Sequence, residues 1–526
     1  MGTSGSGTTG SDIGTDTNWV TLITHFLDVR ISTMSALLAL ANETLLEILD
    51  DIRPKDLLNF ALSCKRMLAL SRECLELHGQ RSRTYALVKF HGCPRHDNDS
   101  HPLALLRDIF DDWRIAFYPR SMTIQCCDCR GRFVPYNEHK EAREESDDDD
   151  DGDSEEVEEV EDIEDIEIIE PLDRVIKGFE SDIINKVNQT DHLRLEASKV
   201  KEWGTGKRGA MLGLLLTMLP NLEDLTLANY TWGANTFRTV LWNIVEANLD
   251  PDYTGSAVLA KLKQVTVIDP YSEECEDAEI LGCFAFLPSM DVLHGIGVID
   301  GTEGETNEDD TDYRWPRRVD QTSAISAIEF QNCSISFGHF SQLLRGITRL
   351  RRITLDLTGV YSRPNPYELI NCLLLHSRRT LEYLEIKMSN CEYFDSEDGA
   401  GNGSLRDFEA LKDVQIHARI WAYDKDYTGT MNPEKDYETE EGAFIPLVDT
   451  LPSCIETVHL GGAFHMRNVD HLLTGITGPK GRRLHSLRKV VFQDVESPSD
   501  IWQEVARVWK ECCADVGVGL EFEWDS

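Results

Sequence analysis

The segment Ile325-Ser-Ala-Ile-Glu-Phe-Gln-Asn-Cys333 carries the pattern from which the fold can be predicted: apolar residues at Ile325, Ile328 and Phe330, and a cysteine three residues later. Side chains alternate between the two faces of a strand, so Ile328 and Phe330 share one face of a predicted short strand. The same apolar-x-x-apolar-x-apolar pattern also starts at Leu222, Leu262, Leu293, Leu350, Leu381, Leu411, Ile455 and Leu487.

The spacing of these triplets indicates a repeat, because successive starts lie 25 to 44 residues apart. Helical patterns fill several of the intervals, at Thr236–Ala247, Phe340–Thr348, Tyr367–His376 and Ile501–Cys513. One strand and one helix in each unit of about 30 residues is typical of leucine-rich repeats. We therefore expect an α/β fold in which residues 172–526 form an irregular leucine-rich-repeat solenoid, shaped like a horseshoe.

Composition limits the classes of partner. The chain has 526 residues, with 93 acidic and 52 basic side chains and a formal net charge of −41. This charge disfavours binding to nucleic acid and to anionic membranes. No apolar run reaches the about 18–20 residues of a membrane-spanning helix, and the 14 cysteines are scattered as in reduced proteins. We expect a soluble intracellular protein, cytoplasmic and/or nuclear.

Two segments look unfolded. Residues 1–33 form an N-terminal extension that begins with Gly, Ser and Thr, which predicts disorder. Residues 141–171 form an acidic segment, in which positions 141–170 hold 19 acids and one base. Like charges at this density repel one another, so we interpret the segment as a disordered, solvated linker. Between the two, residues 79–140 form a connecting segment in which the solenoid could begin.

Residues 37–78 show a helical pattern. Apolar residues recur at helical spacing over Leu45–Ile52, after Asn42, which predicts a helix capped by Asn42. Pro54 ends this helix and suits the first turn of a second one. Ser63 is a candidate cap for a third, short helix. Three helices in so few residues are marginally stable alone, which points to a partner surface.

This segment resembles an F-box. The family motif reads approximately Leu-Pro-x-Glu, Ile-Leu-x-x-Ile, Pro-x-Asp-Leu-Leu and a Ser/Cys-Lys/Arg-Arg end. The matching residues are Leu40, Glu43, Ile48, Leu49, Ile52, Pro54, Asp56, Leu57, Leu58, Cys64, Lys65 and Arg66. The chain departs from the motif at Ala41, where the family usually has proline, and this loosens the entry into the first helix. The remainder is loosely similar to F-box proteins common in filamentous fungi.

The resemblance implies a non-catalytic function. An F-box binds the Skp-type adaptor of a cullin–RING ubiquitin ligase, and the distal domain holds the protein substrate. On this basis the chain is expected to be a substrate receptor that contacts the adaptor, and through it a cullin. The candidate adaptor-binding residues are Leu40, Glu43, Ile48, Leu49, Ile52, Pro54, Leu57, Leu58 and Leu62. The sequence does not separate contact residues from those that form the core of the helices.

Long inserts after the predicted strands are acidic and aromatic, and inserts at equivalent positions of a solenoid lie on one edge. We expect this edge to bind a basic protein substrate through aromatic anchors. The candidate residues are Tyr230, Trp232, Asp309, Asp310, Asp312, Tyr313, Trp315, Tyr393, Phe394, Trp421 and Tyr423. The alternative is that these inserts are solvated loops whose aromatic residues cover the solenoid edge.

Signals for catalysis and cofactors are weak. Cys126, Cys127 and Cys129 lack a second cysteine pair at the spacing of a zinc site, which favours buried thiols. Gly204-Thr-Gly-Lys-Arg208 lacks the residues of a phosphate-binding loop. We therefore expect no enzyme activity, no metal and no cofactor. Two alternatives stay open: a repeat scaffold acting outside a ubiquitin ligase, and, with less support, a hydrolytic or metal-dependent enzyme.

Overall fold

The structure is a computed structural model that describes most of two compact units, Met1–Thr84 and Tyr85–Ser526. The described residues are 39–91, 102–125, 208–228, 234–250, 252, 257–268, 277–298, 322–335, 337–357, 366–387, 404–417, 445–461, 466–478, 481–495 and 500–524.

The first unit is helical. Its elements are α1 (Asn42–Asp51), α2 (Pro54–Ala61), α3 (Lys65–Leu70) and α4 (Arg72–Tyr85, which ends at the first residue of the second unit). The three short helices occupy the predicted positions. Their shared core consists of Leu45, Leu49, Leu57, Ala61 and Met67, all of them buried.

The first turns of α1 and α3 correct two cap predictions. Asn42 is the first helical residue of α1, and Ala41 is the cap, without a side-chain hydrogen bond. The Asn42 side chain instead accepts hydrogen bonds from Arg66 Nε at 3.1 Å and Nη2 at 2.6 Å, and thereby ties α1 to α3. The cap of α3 is Cys64 rather than Ser63, since Cys64 Sγ accepts from the Met67 amide at 3.4 Å.

The second unit is built on one sheet of twelve parallel strands, in which spatial order equals chain order. The strands are β1 (Leu87–His91), β2 (Ser121–Gln125), β3 (Asp224–Ala228), β4 (Gln264–Ile268), β5 (Val292–Ile296), β6 (Ala327–Gln331), β7 (Arg352–Asp356), β8 (Tyr383–Lys387), β9 (Asp413–His417), β10 (Thr457–Gly461), β11 (Lys489–Val495) and β12 (Gly519–Trp524). A parallel sheet with this order confirms the α/β class and is compatible with a solenoid-like repeat.

Helices connect many of these strands. They are α5 (Pro102–Asp111), α6 (Arg208–Thr217), α7 (Ala234–Leu249), α8 (Asp277–Ala285), α9 (Phe337–Gly346), α10 (Pro366–Ser377), α11 (Leu447–Thr450), α12 (Met466–Leu473) and α13 (Asp500–Asp515), with 3-10 turns at Trp113–Phe117 and Gly481–Arg483. The four predicted inter-strand helices coincide with α7, α9, α10 and α13 to within a few residues.

One core runs along the second unit, and alternate strand residues enter it. In β3, for example, Leu225 and Leu227 are 0% and 1% exposed. The residues between them, such as Thr226, lie on the opposite face, which the described helices leave uncovered. We call this second face the open face. Because neighbouring strands pair in parallel, residues at equivalent positions of successive strands lie side by side, and their side chains form rows across the open face.

Eight of the nine predicted triplets coincide with strands, and the ninth, at Leu293, is out of register by three residues. Leu293 pairs with Val265 and Ile328, so the first residue of its triplet is Met290 and the third is Gly295. A Cβ atom on Gly295 would lie 3.0 Å from Leu281 Cδ1 and 3.0 Å from Phe330 Cδ1. Leu281 and Phe330 fill the space that a larger side chain at position 295 would need, so glycine stands where the pattern predicts an apolar residue.

Candidate functional site

The helical unit exposes leucines that its own core does not use. Leu58 and Leu62 are 53% and 64% exposed, whereas Leu49 and Leu57 are 1% and 6% exposed. Residues four apart on a helix lie on the same side, so Leu58 on α2 and Leu62 at its C-terminal cap form one apolar strip. A contiguous exposed apolar strip is a candidate surface for protein binding.

The nine predicted adaptor-binding residues thus differ in exposure. Leu49, Leu57 and Pro54 are buried in the helical unit, so they stabilise it rather than face a partner. Leu40, Ile48 and Ile52 are partly exposed, and Glu43, Leu58 and Leu62 are exposed. Two further exposed leucines, Leu46 at 41% and Leu68 at 45%, were not predicted. Each directly follows a buried residue, Leu45 in α1 and Met67 in α3, and therefore lies off the buried side of its helix.

The second candidate surface is the open face of the sheet, where a polar cluster surrounds Glu385. Glu385 belongs to β8 and is 8% exposed. Its Oε2 accepts hydrogen bonds from the Tyr383 hydroxyl at 2.8 Å and from Thr354 Oγ1 at 3.2 Å. Its Oε1 lies 2.8 Å from Lys387 Nζ. Tyr383, Glu385 and Lys387 alternate along one strand, and Thr354 is the register partner of Glu385 on β7.

The cluster fixes the charges of its members. Burial favours the neutral form of Glu385, but hydrogen bonds from Lys387 and Tyr383 and the charge of Lys387 outweigh burial and hold its pKa below the ordinary value. Burial and the bond to Glu385 raise the pKa of Tyr383 to about 12. The Tyr383 hydroxyl therefore stays protonated at neutral pH and keeps donating to an ionised Glu385.

Arg352 lies beside this cluster. It pairs in register with Tyr383, and its guanidinium carbon is 4.4 Å from the centre of the Tyr383 ring. Arg352 itself is exposed. A guanidinium stacked on an aromatic ring is held in orientation while its N–H groups remain available to a ligand.

A ladder of charges precedes the strands. The residues immediately before β2 to β11 are, in order, Arg120, Glu223, Lys263, Asp291, Ser326, Arg351, Glu382, Lys412, Glu456 and Arg488. We call them the pre-strand ladder; their signs alternate, with one neutral serine. Glu223 lies 2.6 Å from Arg120 and 3.0 Å from Lys263, and Glu382 lies 2.8 Å from Lys412. From Glu223 onward, the backbone N–H of each ladder residue also donates a hydrogen bond to the backbone carbonyl of the previous ladder residue. The Glu382 N–H, for example, donates to the Arg351 carbonyl at 2.8 Å.

The residues predicted to bind substrate lie outside the described residues, since all eleven fall within 229–233, 299–321, 388–403 and 418–444. Cys126, Cys127 and Cys129 lie outside them as well. Within the described part of the chain, no group of three His, Cys, Asp or Glu side chains converges as metal ligands. None of the helices described there is long and apolar enough to cross a membrane.

Comparison with models of known protein families gives no match to this chain, and comparison with curated proteins gives none either. Its function therefore has to be inferred from its own residues and geometry.

Proposed function

We propose that this chain is the substrate-recognition subunit of a cullin–RING (Skp–cullin–F-box) ubiquitin ligase. In this proposal the helical unit is an F-box that binds a Skp-type adaptor, and the second unit is an irregular leucine-rich-repeat domain that binds a protein substrate. The exposed strip of Leu58 and Leu62, in the segment that resembles the F-box motif, is the observation that carries the proposal.

The energetics favour a partner on this strip. Covering a leucine side chain completely contributes about 1.5–3 kcal/mol, and Leu58 and Leu62 are each more than half exposed. The core of the three helices is formed by other residues, so the strip is not needed for folding of the unit. A helical unit with few core residues gains further stability when a partner covers its apolar surface.

The proposed role requires no catalytic residue. A substrate receptor accelerates ubiquitin transfer because it raises the concentration of substrate lysines near the charged conjugating enzyme. This takes place in the cytoplasm and/or nucleus. The sheet supports the assignment of the second unit, since twelve parallel strands in chain order provide an extended surface for a protein ligand.

The test is co-purification of the full chain with the adaptor and a cullin. In the variant Leu58→Lys/Leu62→Lys, two charges would enter the apolar contact, so we expect recovery of both partners to be lost. Leu375 on α10 is 75% exposed and lies in the other unit, so Leu375→Lys is the matched control and should bind as the wild type does.

Three outcomes are informative. Loss of both partners in the double variant alone supports a ligase subunit. Recovery of the adaptor without a cullin would favour the alternative, a scaffold that acts outside a ubiquitin ligase. No recovery of the adaptor by the wild type would contradict the F-box assignment.

A further inference from the structure

The middle of the second unit is locally basic although the whole chain is strongly acidic. Residues 345–387 contain eight basic and four acidic side chains, in a chain with a net charge of −41. Exposed charges are screened beyond about 8 Å at physiological salt. A ligand at β7 and β8 therefore responds mainly to nearby side chains rather than to the net charge of the chain.

Arg352 is an exposed cation of this region and lies on the open face. Among the described residues, no carboxylate oxygen lies within 4.0 Å of its guanidinium, and its recorded contact is with the Tyr383 ring. On its other side the register partner is Ala327, whose methyl group leaves the guanidinium uncovered. Among the described residues, the small side chain of Ala327 therefore leaves room for a ligand beside Arg352 on the open face.

The carboxylates on the adjacent strands are already engaged. Glu329 Oε2 lies 3.1 Å from His294 Nδ1. Glu382 pairs with Lys412 at 2.8 Å, and Glu385 accepts from Tyr383, Thr354 and Lys387. Because these acids have partners, the positive charge of Arg352 is available to an external anion.

We propose that Arg352, stacked on Tyr383, binds a carboxylate of an acidic segment in the partner protein. A guanidinium offers two parallel N–H groups that match the two oxygens of a carboxylate. This inference rests on the proposed function and deepens it, since it names the class of substrate segment that the open face recognises. It concerns the described strands and is separate from the expected recognition of a basic segment by the inserts.

The local charge favours a carboxylate over a phosphate group. A phosphate carries nearly two negative charges at neutral pH and is usually held by several arginines. Here a single unmatched guanidinium has Asp413 on the strand beyond Tyr383 and Asp356 at the end of its own strand. One guanidinium among such neighbours balances a single negative charge better than two.

Tyr383 and Glu385 are positioning residues for this site. Glu385 holds the Tyr383 hydroxyl, and the Tyr383 ring in turn supports the Arg352 guanidinium. Removal of the hydroxyl in Tyr383→Phe keeps the ring but releases this restraint. We therefore expect Tyr383→Phe to weaken ligand binding less than Arg352→Ala does.

The test uses a displayed library of twelve-residue peptides that each carry one Asp or Glu and no Lys or Arg, selected on the full chain. We expect the selected peptides to bind Arg352→Ala about 10- to 100-fold more weakly, the range for lost hydrogen bonds to a charged group. Replacement of the peptide acid by its amide should give the same loss. Arg482, an exposed arginine in the 3-10 turn Gly481–Arg483, provides the control variant Arg482→Ala, which should bind normally.

Several results would overturn the inference. These are selection of no peptide and equal binding of the selected peptides to wild type and Arg352→Ala. Tighter binding when phosphoserine replaces the peptide acid would identify phosphate as the ligand and would contradict the carboxylate assignment. Co-purification with the adaptor tests the helical unit and does not depend on Arg352. Failure of the peptide test can therefore be distinguished from failure of the proposed function.

Discussion

Glu385 illustrates how a single side chain organises the open face. Three neighbours donate to its two oxygens, and the carboxylate is almost fully buried. The alternation of Tyr383, Glu385 and Lys387 is visible in the sequence, because residues two apart share one face of a strand. Thr354 comes from the neighbouring strand, so its hydrogen bond depends on a register that a single segment does not reveal.

The substitution Glu385→Gln tests the charge of this cluster. We expect it to lower the free energy of unfolding by about 1–2 kcal/mol at pH 7, since hydrogen bonds to a charged acceptor are stronger than those to an amide. The native pKa is lowered, so the stability that the carboxylate contributes is present above the ordinary glutamate value and is lost as the pH falls through the native value.

Urea unfolding of the full chain at several pH values measures this difference. The gap between wild type and Glu385→Gln should shrink in acid. Glu523, an exposed acid on β12, is the control, and Glu523→Gln should leave stability unchanged at each pH. A gap for Glu385→Gln that stays constant with pH would contradict the assignment of an ionised carboxylate.

Two adjacent cysteines should react differently. Cys512 is exposed, whereas Cys513 is fully buried, and burial together with the neighbouring thiol raises the pKa of Cys513 to about 11. Since the thiolate is the reactive form, iodoacetamide on the native chain near pH 8 should modify Cys512 and spare Cys513. Mass spectrometry of the peptide that contains both residues checks this. Equal modification would show that the last turns of α13 open readily.

Among the elements, the pre-strand ladder joins neighbouring strands through ion pairs. The two residues of most ladder pairs are about 30 to 40 positions apart in the sequence, and Arg120 and Glu223 are 103 positions apart. These ion pairs can be predicted only when the alignment of neighbouring strands is known. The sequence periodicity therefore located the strands but did not reveal the ladder. The same limit explains Leu293, where Gly295 interrupts the apolar pattern and shifts the predicted register.

Charge reversal at Glu382 tests the ladder. Glu382→Lys would place a third cation between Arg351 and Lys412, so we expect a loss of about 1 kcal/mol at low salt, the upper range for exposed pairs. The loss should fade in about 1 M salt, where screening acts over about 3 Å. The control Glu523→Lys should have little effect. A loss that does not depend on salt would contradict an electrostatic role.

The contact between α6 and α7 allows no side chain at Gly213. A Cβ atom there would lie 2.8 Å from Val240 Cγ1, so Gly213→Ala should lower the free energy of unfolding by about 1–3 kcal/mol through overpacking. Gly338 in α9 has no atom within 4 Å of such a position. Gly338→Ala should therefore be neutral or stabilising by up to about 1 kcal/mol. Equal effects in urea unfolding would contradict this packing.

At the scale of the whole molecule, the chain combines a small helical unit with a long parallel sheet. The pattern of apolar triplets predicted the α/β class and eight strands, because a buried strand needs apolar residues at two alternate positions. The pattern did not sort the leucines of the helical unit. Leu57 and Leu58 are adjacent and chemically identical, and only the packing of α1, α2 and α3 shows that the first is buried and the second exposed.

The most direct measurement is a calorimetric titration of the full chain with purified Skp-type adaptor. We predict measurable one-to-one binding, which is lost in Leu58→Lys/Leu62→Lys and retained in Leu375→Lys. Circular dichroism should show that the double variant keeps its fold, since both leucines are exposed. Absence of binding by the wild type, or equal binding by the folded double variant, would contradict the proposal that this surface joins the chain to a ubiquitin ligase.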